Sequence, residues 1–317
     1  MHNQISTSVE VLRNGGLVAF PTETVYGLGA DANNDDAVRR IFKVKGRPTN
    51  HPLIVHISSG SQLSMWARDI PDYAKNLAEK FWPGPLTLIL KSSGFASSYV
   101  TGGHENIGVR VPSHPLALEL LDSFAKTGGF GIAAPSANRF GAVSATSATA
   151  VKNEIGKFLD KNDFILDGGD CEIGIESTII NCLNESPSII RPGFLSEKIL
   201  RTNLGIDFVS KSLNNQVSAS GEFRSHYSPR ARVVLNETAL PGEGFIAFSN
   251  IKTPNGAIRL ASPETIEQFA RYLYKALSDG DSKGLSKIVV ITPRGHELAE
   301  AICDRLFKAS NSKLLEN

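Results

Sequence analysis

Cysteine is scarce in this chain: Cys171, Cys182 and Cys303 are the three among 317 residues. An odd number at wide spacings builds neither a zinc site nor a disulfide framework, so a reducing, cytoplasmic setting is expected. Long apolar runs are missing too, which excludes a spanning helix of about 20 residues. The start, MHNQISTSVEVLRNGG, shows no basic stretch followed by an apolar run, so no signal peptide is expected. Lysine plus arginine number 33 against 32 acids, and no global field draws the protein to nucleic acid or membrane. There is no GxxxxGK[ST], no GxSxG, no Ser-His-Asp spacing and no cluster of metal ligands. P-loop chemistry, a covalent-nucleophile hydrolase and a metal held by protein groups alone are therefore not expected.

One absence is local. Between Ala37 and Arg68 there is no acidic residue, yet Arg39, Arg40, Lys43, Lys45, Arg47 and Arg68 all lie there. In a chain of nearly neutral charge, such an imbalance suits an anionic ligand held by backbone N–H groups and a basic pair. The stretch opens with an apolar run, residues 17–20, stopped by Pro21. A loop, PTETVYGLGAD, follows, and then a helix over about residues 35–45, capped by Asp35 or Asp36 and stopped by Gly46. GLGADA formally fits a dinucleotide fingerprint. No helix opens on its glycines and no acid follows about twenty residues on, so a plain turn with positive φ at Gly27 or Gly29 is preferred.

The rest of the chain reads as α/β. Helices are expected over residues 5–14, 61–68, 72–81, 116–126 and 147–155. Strands are expected over 52–57, 86–91, 107–111, 131–134 and 164–166, and in STIINCL and SIIRPG. The continuous apolar run at 86–91 suits a sheet covered on both faces. KSLNNQVSASG is small, polar and without period, so it reads as linker. A smaller α/β unit then carries strands at 233–235, 245–248, 258–260 and 287–292, with helices at 263–277 and 296–307.

Several residues are candidates for chemistry. Lys45 and Arg47, two apart in an extended segment, would point the same way and reach one phosphate chain. Ser136 and Asn138 in APSAN follow a strand of small residues, where a turn or a ligand contact would serve equally. His56 ends an apolar run, where a lone histidine is more often a satisfied core group than a catalyst. Arg110 and Arg191 sit in buried strands, and each needs an internal carboxylate or an anionic ligand.

Taken in order, FPTETVYGLGADA, KVKGRPTNHPLIVHI, WPGPLTLIL, VRVPSHP, APSANRFGAVSAT, GIESTII, IRPG and HYSPRA resemble the YrdC-type L-threonylcarbamoyladenylate synthases in their long form. The motifs run from residue 20 to residue 231. The resemblance implies a YrdC-like twisted mixed sheet with a basic cavity over residues 1–210, a linker or lid over 211–231, and a small Rossmann-like domain over 232–317. It implies a nucleotidyltransferase that makes L-threonylcarbamoyl-AMP and pyrophosphate from L-threonine, bicarbonate and ATP. Mg²⁺ would enter with the ATP, and the product would pass to a tRNA threonylcarbamoyl transferase complex. By similarity, Thr24, His56, Arg110, Ala134 and Ser177 would surround the threonine. Lys45, Arg47, His51, Asn106, Ser136, Asn138, Ser144, Arg191 and Tyr227 would hold the ATP, with Lys45 and Arg47 catalytic. At His51 relatives more often carry asparagine, and at Asn106 threonine. The alternative expectation is a binder of double-stranded RNA or tRNA, making weak contact through Arg39, Arg40, Lys43 and Arg68. A carbamoyltransferase like the hydrogenase-maturation relatives is disfavoured, because their zinc-finger and acylphosphatase regions are absent.

Overall fold

Short apolar runs alternating with helical patterns build one mixed sheet of ten strands, followed by a parallel sheet of four. The computed structural model describes residues 2–205, 207–209 and 227–311. The first unit begins with α1 (His2–Arg13), β1 (Val18–Phe20), β2 (Gly27–Asp31), α2 (Asp35–Lys45) and β3 (Ile54–His56). It continues with α3 (Leu63–Trp66), β4 (Ala67–Arg68), α4 (Asp72–Phe81), β5 (Leu86–Ser92), α5 (Ser98–Thr101) and β6 (Asn106–Arg110). Then come α6 (Pro115–Lys126), β7 (Ile132–Ala133), α7 (Ala148–Ile155), β8 (Phe164–Ile165), β9 (Thr178–Asn181), β10 (Ser188–Arg191) and α8 (Glu197–Leu204). The strand order is β10-β9-β5-β6-β3-β7-β2-β1-β8, with β4 paired to β5. Successive residues of β1 face opposite ways: Ala19 joins the core with Phe42, Trp66 and Leu88, while Val18 and Phe20 join Leu12, Leu120 and Phe124. Both faces of the sheet are therefore covered, which explains its unbroken apolar runs.

The second unit holds β11 (Arg232–Leu235), β12 (Gly244–Ile246), β13 (Ile258–Ala261), α9 (Ile266–Ser282), β14 (Lys287–Val290) and α10 (Leu298–Asn311). Its strands are all parallel, in the order β11-β14-β12-β13, the Rossmann-like arrangement expected. The two units share a core. Val25, Val143 and Ile175 of the first pack with Phe269, Leu273, Tyr274 and Ile302 of the second. Among the described residues no helix is long and apolar enough to cross a membrane.

Several sequence expectations are corrected. GLGAD is not a loop but strand β2, paired antiparallel with β1. Gly27 and Gly29 are not among the positive-φ residues. A Cβ on Gly29 would lie 2.6 Å from Ile132 Cγ2 and 2.8 Å from Phe20 Cε1, so close packing requires the glycine rather than a turn. Neither Asp35 nor Asp36 caps α2. Asn34 does, its side chain accepting from Ala37 N at 3.0 Å, and both aspartates stand in the first turn. The helix expected over 61–68 is shorter, because Ala67 and Arg68 pair with β5. Helix α8, capped by Ser196, went unread in the sequence. Of the linker expected over 211–231, residues 211–226 lie outside the described residues.

The acid-free stretch finds acids elsewhere. Arg40 reaches Asp160 at 2.6 Å and Asp163 at 2.7 Å, Arg39 pairs with Asp36, and Arg68 with Asp69 at 3.2 Å. Arg39, Arg40 and Arg68, three of the four residues expected to contact RNA, are thus paired with carboxylates.

Candidate active site

Parallel strands β3 and β6 bring their last residues, His56 and Arg110, into register. Beside them β7 runs into Ala134, whose N–H donates to Ile54 O at 2.9 Å. The PTETV loop between β1 and β2 closes one side. There the Thr22 hydroxyl donates to Val25 O at 2.6 Å and lies 2.8 Å from the Thr24 hydroxyl. Ser136 bridges to Gly27, and Arg191 ends β10. The cavity so formed, about 50 Å³, lies at strand C-termini, where open α/β sheets bind ligands. Arg47, Arg110 and Arg191 line it, with Glu176 the one acidic side chain among its lining residues.

Each charge has a defined setting. Arg110 donates to Glu23 at 2.6 Å and to Gly84 O at 3.3 Å, so its internal carboxylate is Glu23. Ser113 N–H fixes the other oxygen of Glu23 at 3.1 Å. Arg191 donates to Ser177 O at 3.0 Å and to its hydroxyl at 3.1 Å, and that hydroxyl lies 2.8 Å from Thr87 Oγ1. Arg47 donates to Pro52 O at 3.1 Å. Burial, together with nearby Arg191, brings the Arg47 guanidinium down to about 10, which leaves it charged at neutral pH. Burial and then Arg110 push His56 down to about 3, so its imidazole is neutral. Its Nδ1 has no hydrogen-bond partner among the described residues.

Two profiles match the chain. One, described as "Telomere recombination", covers residues 10–193. The other, described as "Threonylcarbamoyl-AMP synthase, C-terminal domain", covers residues 195–311. The chain belongs to the threonylcarbamoyl-AMP synthase family. The threonylcarbamoyl-AMP synthase of Pyrococcus abyssi is 38% identical over 99% of this chain and 96% of its own length. That of Bacillus subtilis is 43% identical over 98% and 94%. The crystal structure of P. abyssi Sua5 complexed with L-threonine superposes with a TM-score of 0.86 at 36% identity, covering 98% of this chain and 94% of that one.

Of the residues expected to surround threonine in this family, Thr24, His56, Arg110, Ala134 and Ser177 all line the cavity. Arg47, Ser136, Arg191 and Tyr227, expected on ATP, line it as well. Lys45, His51, Asn106, Asn138 and Ser144 are not among the lining residues. Lys45 is the last residue of α2 and Gly46 turns left-handed at φ 61, so the extended pair Lys45 and Arg47 is corrected. Instead Lys45 Nζ donates to Ser136 O at 2.6 Å and to Asn138 O, bracing the loop that carries Ser136. Asn138 braces it from within, donating to Arg139 O at 2.8 Å and Ala142 O at 2.7 Å. His51 packs on Phe140, and Asn106 begins the strand that Arg110 ends. Ser144 donates to Glu176 at 2.6 Å, one residue behind the cavity wall.

Four contributors went unread in the sequence: Glu23, Glu176, Tyr274 and Arg305. Two signals were present. An arginine in a buried strand needs an acid, and Glu23 and Glu176 stand amid small and apolar residues. Arg305 lies on the apolar stripe of α10, beside Ala301, Ile302 and Leu306.

Proposed function

We infer that this enzyme makes L-threonylcarbamoyl-AMP from L-threonine, bicarbonate and ATP, releasing pyrophosphate. The observation that carries the reading is the cavity at the β3 and β6 ends, lined by three arginines and one acidic side chain. Such an excess of buried cations suits a ligand with several negative groups. Arg110 offers a donor to the threonine carboxylate while Glu23 fixes its plane. Neutral His56 and the Thr24 hydroxyl supply polar contacts for the amine and hydroxyl of threonine. Arg47 and Arg191 stabilise the charge that grows on the phosphates as the carbamate oxygen attacks the α-phosphorus. Threonine's amine has by then added to bicarbonate, and water has left as the C–N bond replaced a C–O bond, giving the carbamate. No enzyme nucleophile is invoked, and burial pushes the nearby Cys171 thiol up to about 12.

Magnesium fits as part of the substrate, carried by ATP phosphates and water. Glu23 and Glu176 are each committed to an arginine, and no group of three or more metal-binding side chains occurs among the described residues. Tyr227 is the lid. It is 1% exposed, holds a left-handed φ of 63°, costly for a bulky residue, and lines the narrow cavity. Its place in the lining makes it the side chain that shifts as ATP enters. The product leaves for a tRNA threonylcarbamoyl transferase complex in the cytoplasm.

The test is pyrophosphate release from ATP with bicarbonate present, with L-threonine, with L-serine and with neither. Release that depends on threonine supports the reading. Release indifferent to the amino acid overturns it.

A further inference from the structure

Glu176, which lines the cavity, draws its partners from both domains. Its Oε1 accepts from Ser144 at 2.6 Å. Its Oε2 accepts from the Tyr274 hydroxyl at 2.9 Å and from Arg305 Nε at 3.0 Å. Tyr274 comes from α9 and Arg305 from α10 of the C-terminal domain, and both are 1% exposed. The same two side chains frame Tyr227. Its ring stacks on Tyr274 with centroids 5.6 Å apart, and the Arg305 guanidinium lies 5.3 Å from its centroid. The next residue in the chain, Ser177, receives Arg191 through both its carbonyl and its hydroxyl.

A buried ion pair is a poor stabiliser compared with apolar side chains of similar size. Here it interrupts an interface otherwise built from Val25, Val143, Ile175, Phe269 and Leu273. Its placement at the cavity wall accounts for it better than stability does. We propose that Tyr274 and Arg305 are positioning residues for the reaction, contributed by the C-terminal domain. They hold Glu176 turned away from Arg191, so that Arg191 keeps its donors on Ser177 and its charge toward the nucleotide. Through Glu176 they also fix the Ser144 hydroxyl. Burial raises the Glu176 carboxyl, but Arg305 and then Arg191 outweigh this and hold it at about 2, as expected for an anion with two cations within reach. Without Tyr274 and Arg305, Arg191 is the remaining cation whose charge acts on the carboxylate.

This inference rests on the ATP-dependent reading of the cavity, and its test keeps the two apart. In the full-length protein, Tyr274→Phe removes one hydroxyl, Arg305→Lys keeps the charge but loses the planar fork, and Ser144→Ala removes the donor on the other oxygen. ATP affinity is read by titration calorimetry, kinetic constants by pyrophosphate release, and folding by melting temperature. We expect Tyr274→Phe to weaken ATP binding and raise the ATP KM about fivefold, with threonine KM within about twofold and melting nearly unchanged. Arg305→Lys should show a larger loss. Tyr274→Phe combined with Ser144→Ala should be little worse than the stronger single change, because both act through Glu176. Lowered melting with parental ATP affinity and KM would mean a merely structural role and overturn the proposal. So would effects of Tyr274→Phe and Ser144→Ala that multiply. If the parent released no pyrophosphate with threonine, the proposed reaction would fail, yet ATP affinity would still decide this point. A parent that bound no ATP would overturn both.

Discussion

In the first domain the sheet itself builds the site, whereas in the second the helices reach it. Strands β3, β6 and β10 end on His56, Arg110 and Arg191, and backbone register alone brings the first two side by side. The C-terminal sheet sends no residue into the cavity lining. Its contribution is one side chain from α9 and one from α10, both meeting Glu176. The difference is one of tolerance. Strand ends hold several groups through shared backbone hydrogen bonds, so a lost side chain leaves the frame standing. The polar contact that the C-terminal helices make with the cavity wall depends on one buried carboxylate within the shared apolar core, so its loss should be felt in stability and ligand affinity together.

The largest expected effect separates the domains in that way. Glu176→Gln takes one of the two carboxylates from buried Arg305, leaving Asp304 at 2.6 Å, and weakens three charge-assisted hydrogen bonds; it should cost about 3 kcal/mol of stability by urea unfolding, with ATP affinity lost alongside. The pH sign follows: a carboxyl held at about 2 when folded but near 4.3 when unfolded contributes stability above about pH 4, lost as pH falls toward 2. Next comes Arg110→Ala, at a strand end. It should raise the threonine KM about 10- to 100-fold through loss of a charged contact of about 1.5–3 kcal/mol, with ATP KM nearly unchanged. A matching rise in ATP KM would blur the division between the two substrates.

His56 sharpens the comparison through pH. The unfolded chain takes up its proton near 6.5 and the folded one only at about 3, so protonation favours unfolding between those values. Stability should therefore fall by about 1.4 kcal/mol for each pH unit below roughly 6, a component that His56→Gln removes. An unchanged pH slope in that variant would place the histidine elsewhere. The smallest effect belongs to Asn34→Ala, which removes the cap of α2. It should cost about 1 kcal/mol and leave both KM values alone, as expected for a change that touches only the frame.

The same contrast explains what could be read in advance. Strands and helices with unbroken apolar patterns, such as β5 and α6, fell close to their expected places, and contiguous motifs carried Thr24, His56, Arg110 and Ser177 to the cavity. GLGAD misled, because its glycines suggest a turn while their cause is Ile132 and Phe20, more than a hundred residues away in one case. The acid-free stretch misled for a similar reason: Asp160 and Asp163 neutralise Arg40 from far along the chain. Lys45 stood beside Arg47 in sequence, yet a left-handed Gly46 between them sends one under the Ser136 loop and the other into the cavity lining. Tyr274 and Arg305 belong to no motif. Arg305 was visible only as a charge on an apolar helical stripe, and its partner could be named only once the two domains were seen packed.

The most direct measurement is mass spectrometry of the nucleotide product formed with ¹³C-bicarbonate, ATP and magnesium, in the parent and in Arg47→Ala. The account predicts ¹³C-labelled threonylcarbamoyl-AMP only when L-threonine is present, at about a hundredth of the parental rate in Arg47→Ala, as loss of a charged contact of about 3 kcal/mol implies. Labelled nucleotide formed without threonine, or Arg47→Ala turnover equal to the parent's, would contradict it.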